Sequence, residues 1–204
     1  MHLDHVIPAL VRRLRPTQMT VGYAEVLFKR EHWRAMNREQ RHAFIEDHSI
    51  PAVAGPDGRH FIVDHHHLCL ALLEEGVADV RLALLADLST LDPEEFWLVM
   101  DHRQWAHPYD DRGHRQPLDR IPKKLGKLAD DPYRSLAAAV RMAGGYPKDQ
   151  TPFAEFQWAD FFRRRIAAGL LRRDPNAALS QSLSLAHSTE AMHLPGWTGV
   201  SLAS

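Results

Sequence analysis

The chain has 204 residues, enough for one large domain or a core with a helical extension. Lys and Arg total 25 against 26 Asp and Glu, which excludes broad electrostatic attraction to nucleic acid or acidic membranes and leaves only local patches. At 45% hydrophobic there is material for a packed core, and a single cysteine excludes an internal disulfide framework.

No segment reaches the roughly 20 apolar residues needed to span a bilayer. The first residues hold no continuous apolar run, so no signal peptide is expected and the cytoplasm is the expected location. Residues 1–13 read as a short helix or a loose arm. Residues 14–21, with Pro16 and Thr20, read as an extended segment, and Gly22 allows a turn. Residues 23–34 read as a helix with Val26, Leu27, Arg30 and Trp33 near one side. Glu25 and Lys29 lie four apart on it and neighbour each other. On spacing alone they are an exposed ion pair of little worth.

Residues 37–48 read as another helix, with Asn37 as cap and Gln40 three positions on. Gly55-Pro56-Asp57-Gly58 is a turn signal that pairs residues 50–54 with 59–63 as a hairpin. Phe61, Ile62 and Val63 are the aromatic and β-branched run of a strand. Asp64 is a good helix N-cap residue. Leu68, Leu72 and Leu73 recur at helical spacing, and Gly76 marks the stop. His65, His66 and His67 then fall on the first helical turn, where backbone N–H groups and the dipole collect anions. A protonated imidazole is disfavoured there, so these rings are expected neutral, able to accept protons, bind a substrate or ligate a metal. Asp64 either caps the helix or, as a functional carboxylate, holds a metal or a substrate hydroxyl. Cys69 lies in the apolar face and reads as a buried small hydrophobe. Residues 77–87, rich in Val, Leu and Ala, read as a strand buried on both faces.

The second half reads as helical. Asp92-Pro93-Glu94-Glu95 is a helix start, and the helix runs to about residue 104. Residues 105–117 form a loop by their Pro and Gly content. His107, Asp110, Asp111 and His114 there have metal-ligand chemistry, and Arg112 or Arg115 suits a phosphate, but the spacing matches no closed zinc motif. A solvated polar loop is the competing reading. Residues 119–128 read as a short helix. Asp131-Pro132 opens another, ended by Gly144-Gly145, and a helix from Pro152 to about residue 168 presents Phe153, Phe156, Trp158, Phe161 and Phe162 as core. Arg163 to Arg165 and Arg172-Arg173 read as a solvated face or a nucleic-acid contact. Asp174-Pro175 opens the last helix.

Val63-Asp64-His65-His66-His67-Leu68 resembles the phosphate-binding corner of the ParB–sulfiredoxin superfamily. Partition proteins carry Gly-Glu-Arg-Arg there, sulfiredoxins Gly-Gly-Cys-His-Arg and free-serine kinases Asp-Gly-His-Thr-Arg. Asp64 matches the first position and His66 the central His or Cys. Leu68 stands where those families place a phosphate-binding Arg, which removes a fixed phosphate fork. The chain is most similar to the branch known as ParB-like nucleases. That likeness runs through Arg15-Pro16-Thr17-Gln18-Met19-Thr20-Val21-Gly22, Glu25, Lys29, His107-Pro108-Tyr109-Asp110-Asp111, Asp131-Pro132-Tyr133-Arg134-Ser135-Leu136 and Phe153-Ala154-Glu155-Phe156-Gln157-Trp158. It covers about residues 14–166.

The expected fold is α+β, a small mixed β-sheet of ParB/sulfiredoxin-like kind with a helical C-terminal subdomain. The expected division is an arm (1–13), the α/β core (14–90), a helical subdomain packed on it (91–190) and a tail (191–204). The resemblance implies a nucleotide or phosphorylated small molecule held at His65 to His67, with Lys29 and Arg115 as charge partners. It implies a divalent metal, Mg or Mn, at Asp64 or among His107, Asp110 and Asp111. Glu25, Asp64 and His66 are the catalytic candidates. The expected reaction is metal-assisted phosphoryl transfer or phosphodiester hydrolysis. The rival is a non-catalytic, nucleotide-switched DNA-binding or regulatory module that uses the arginine clusters.

Overall fold

A computed structural model describes residues 6–199. Residues 1–5 of the expected arm and 200–204 of the expected tail lie outside the described residues. Contacts divide the chain into two units, one ending at Asp130 and the other beginning at Asp131. That boundary replaces the one expected after residue 90.

The first unit is built on a five-stranded mixed sheet. Its strands are β1 (Val6–Leu10), β2 (Arg15–Pro16), β4 (Ile50–Gly55), β5 (Arg59–Ile62) and β6 (Asp79–Asp87), in the order β1-β6-β4-β5-β2. The pairs β1–β6 and β4–β5 are antiparallel, while β4–β6 and β2–β5 are parallel. The expected arm is therefore not an arm. Val6 to Leu10 form the edge strand, and the Val11 N–H donates to the Ala78 carbonyl as the chain leaves it. The signal was weak because only five residues pair, one of them Pro8.

The hairpin turn follows its sequence. Asp57 and Gly58 hold φ of 59° and 65°, the left-handed conformation that twists two antiparallel strands correctly. The strand β6 departs from expectation. Its pattern alternates, with Val80 and Leu82 buried and Leu85 42% exposed, so one face is core and the other is largely open.

Two helices, α1 (Tyr23–Ala35) and α2 (Arg38–Asp47), follow the short strand β3 (Thr20–Val21). The Asn37 and Gln40 side chains close a reciprocal capping box on α2. The corner helix α3 (His66–Glu74) packs on α1 through Val21, Val26, Leu70 and Ala71. Arg30 and Arg34 of α1 pair with Glu74 and Glu75 at its far end. The helix α4 (Pro93–His102) starts at Asp92, whose carboxylate accepts from the Glu94 and Glu95 N–H groups. The helix expected over 119–128 is two short 3₁₀ turns, Leu118–Arg120 and Leu125–Lys127, separated by Pro122. The last strand, β7 (Ala129–Asp130), pairs in parallel with β3. That pairing returns residues 91–130 to the sheet-bearing unit and explains where the boundary falls.

The second unit holds α5 (Pro132–Met142), α6 (Ala154–Arg163), α7 (Ala168–Arg173) and α8 (Pro175–Ala186). Its core joins Trp158, Phe162, Val140 and Ile166, all 0–1% exposed, and Trp158 stacks on Tyr146 with centroids 4.1 Å apart. The tail is not patternless in space, because Ala191 and Leu194 enter this core and the Trp158 indole donates to the Pro195 carbonyl.

Candidate functional site

The β5–α3 corner joins the sheet to the helix that follows it. The N-cap of α3 is His65, not Asp64, and no side chain caps the helix. His65 holds φ 62° and ψ 26°. A non-glycine residue adopts that left-handed conformation only under constraint. The motif Asp-Gly-His-Thr-Arg has its glycine at this position, which such a backbone favours. Asp64 instead points outward, 76% exposed, and one carboxylate oxygen accepts the His65 N–H at 2.6 Å. The helix therefore begins one residue later than the sequence indicates.

The two following imidazoles are buried, His66 at 3% and His67 at 9% exposure. His66 Nε2 accepts the Thr17 N–H at 3.1 Å, and His67 Nε2 accepts the Gly22 N–H at 3.0 Å. A ring nitrogen that accepts an N–H carries no proton, so both rings are neutral in this arrangement, as expected. Their role differs from the expected one. They staple the β2–β3 segment to the helix, and His66 is thereby removed as a general base.

Thr17 is the hub of the corner. Its hydroxyl donates to the Ile62 carbonyl at 2.8 Å, its N–H meets His66, and its carbonyl accepts the His107 N–H at 2.8 Å. In the sequence Thr17 stands out only within the ParB-like resemblance. A buried Thr after a Pro, where a strand must end, was the available signal.

Glu25 and Lys29 meet as read. Lys29 Nζ lies 3.5 Å from Glu25, and the second Glu25 oxygen lies 3.7 Å from His67 Nε2. Lys29 and Glu25 remain partly open, at 34% and 23%, and His67 closes their inner side. A carboxylate, an ammonium and an imidazole thus converge beside the first turn of α3.

The metal candidates are not brought together. Asp110 is spent on its own loop: one oxygen accepts the Arg112 and His114 N–H groups and the other the Gln116 amide. Burial alone would raise this carboxyl, but those donors outweigh it and hold it below the usual carboxylate range. Asp111 is exposed, and His107 is buried with its ring stacked on Tyr109. Among the described residues no three His, Cys, Asp or Glu side chains are placed to share a metal ion. Asp64 and the loop that holds His107, Asp110 and Asp111 are thus not gathered into one three-ligand cluster. Arg115 pairs with Asp101 at 2.6 Å. Cys69 is fully buried, and burial followed by the Asp64 charge pushes its thiol up, so it is no nucleophile. Among the described residues no helix is long and apolar enough to cross a membrane.

A crystal structure of protein Atu1540 from Agrobacterium tumefaciens is similar over 96% of this chain and 99% of that one. The two share 48% sequence identity with a TM-score of 0.89. No curated protein matches. Residues 7–164 match the family described as "Putative ParB-like nuclease", and this chain, with the mixed sheet and corner just described, belongs to that ParB-like family.

Proposed function

We propose that the α3 corner binds the phosphate of a nucleotide or other phosphorylated small molecule and carries out phosphoryl transfer or phosphodiester hydrolysis on it. The observation that supports this reading is the convergence of Glu25, Lys29 and His67 beside a helix start that no side chain caps. The helix dipole and the Lys29 ammonium both favour an anion there. Glu25 is the general base, because its carboxylate is partly open while the His66 ring is committed to Thr17. Lys29 offsets charge that develops on the transferred group. Asp64 stands at the rim where a substrate hydroxyl can reach it.

Thermal shift with ATP, ADP and inorganic phosphate tests the binding half. At 100-fold excess over Kd, a ligand of the folded state adds about 2.7 kcal/mol. Lys29→Ala should lose most of that shift, while Glu25→Gln should keep binding and lose turnover. No shift with any of these ligands, or an undiminished shift in Lys29→Ala, would falsify the reading.

A further inference from the structure

A second surface of the first unit is more strongly charged than the corner. A groove of about 570 Å³ lies between the chain that links β1 to β2 and the β4–β5 turn. Six cationic side chains line it: Arg12, Arg13, Arg15, Arg59, Lys123 and Lys124. Among the described residues that line it, the only carboxylate is Asp57. That carboxylate lies 3.7 Å from Arg59 and is itself 74% exposed, so it neutralises little. Like charges are held together here. Arg15 is pinned by donating to the Lys123 carbonyl. Burial, and then the charge of Arg59, push its guanidinium below its usual value. A chain with 25 basic and 26 acidic residues has placed these six where they repel one another. An extended polyanion relieves that repulsion along the whole groove.

We infer that this groove binds the sugar-phosphate backbone of nucleic acid without reading its sequence. Among the described residues no Phe, Tyr or Trp lines it, so phosphates rather than bases are the groups it recognises. Two arginines of the cluster that the sequence offers for this role, Arg163 and Arg165, are otherwise engaged. Arg163 forks onto Asp131 at 2.8 Å and onto Asp160 at 3.2 Å, and Arg165 pairs with Glu190 at 2.9 Å. The groove is also separate from the α3 corner. Arg59 and His60 open β5, whereas Asp64 and His65 follow its end. The inference therefore does not rest on the proposed phosphate chemistry.

Fluorescence anisotropy with a labelled 20-base-pair mixed-sequence duplex tests it on the full chain. Affinity should fall steeply with salt, and a scrambled sequence should bind equally. Replacing Arg12 and Lys124, both exposed, by Ser should weaken binding about tenfold or more and shrink the salt slope by about two. An unchanged melting temperature shows that this variant is folded. Arg164→Ser with Arg172→Ser, exposed in the second unit, should bind as the parent does. Absence of parent binding at 50 mM salt, full binding by the groove variant, or loss in the Arg164/Arg172 variant overturns the inference.

Discussion

His65 stands between β5 and α3 with φ 62°, a conformation that costs a side chain about 1 kcal/mol and costs glycine little. His65→Gly should therefore leave stability unchanged or raise the melting temperature. His66→Ala should do the opposite. It strands the Thr17 N–H in a site only 1% exposed, a loss of about 1–3 kcal/mol read by chemical denaturation. If both variants behaved alike, the division of labour among these rings would be wrong. Three identical letters in a row cannot announce it. Hydrophobic spacing placed the helix well, yet which histidine caps it depends on a backbone twist at one residue. Which ring turns inward depends on Thr17 and Gly22, some 45 to 49 positions away. Glu25 and Lys29 were legible because four-residue spacing on a helix is a local rule, and local rules survive folding.

At the scale of elements, turns and caps were the most readable features. Gly55-Pro56-Asp57-Gly58 specified its hairpin, and Asn37, Asp92, Asp131 and Asp174 all cap the helices they precede. The two glycines of that turn make opposite demands. Gly58 has open space where a Cβ would stand, so Gly58→Ala carries only its backbone cost, about 1 kcal/mol. Gly55 has none, since a Cβ would lie 2.6 Å from the Phe61 ring and 2.8 Å from Phe96. Gly55→Ala should cost more, up to about 3 kcal/mol, because an aromatic cluster must move. Thermal melts of the two variants give the ranking, and an equal loss contradicts it. Elements held by distant pairing were less readable. The strands β1 and β7 are short, and their partners lie far along the chain, so neither has an alternation long enough to register.

Among the described residues the buried side chains form four sets, three in the first unit, one of them around Ile62, Cys69 and Leu82, and one in the second around Trp158 and Phe162. Phe162 is fully buried, so Phe162→Ala should cost about 3–5 kcal/mol. Hydrogen exchange should then rise across residues 131–199 while Cys69 stays closed to iodoacetamide. Cys69 alkylated at the same rate as that exchange would instead reveal one cooperative block. The Thr17 hub has a further consequence, for the order in which the protein is made. It joins a strand end to His66, 49 positions on, and to the still later His107. Loops that long close slowly, since chain entropy is lost before the contact repays it. During synthesis the corner stays unfinished until His107 has left the ribosome, so nascent chains stalled before that point lack the completed site.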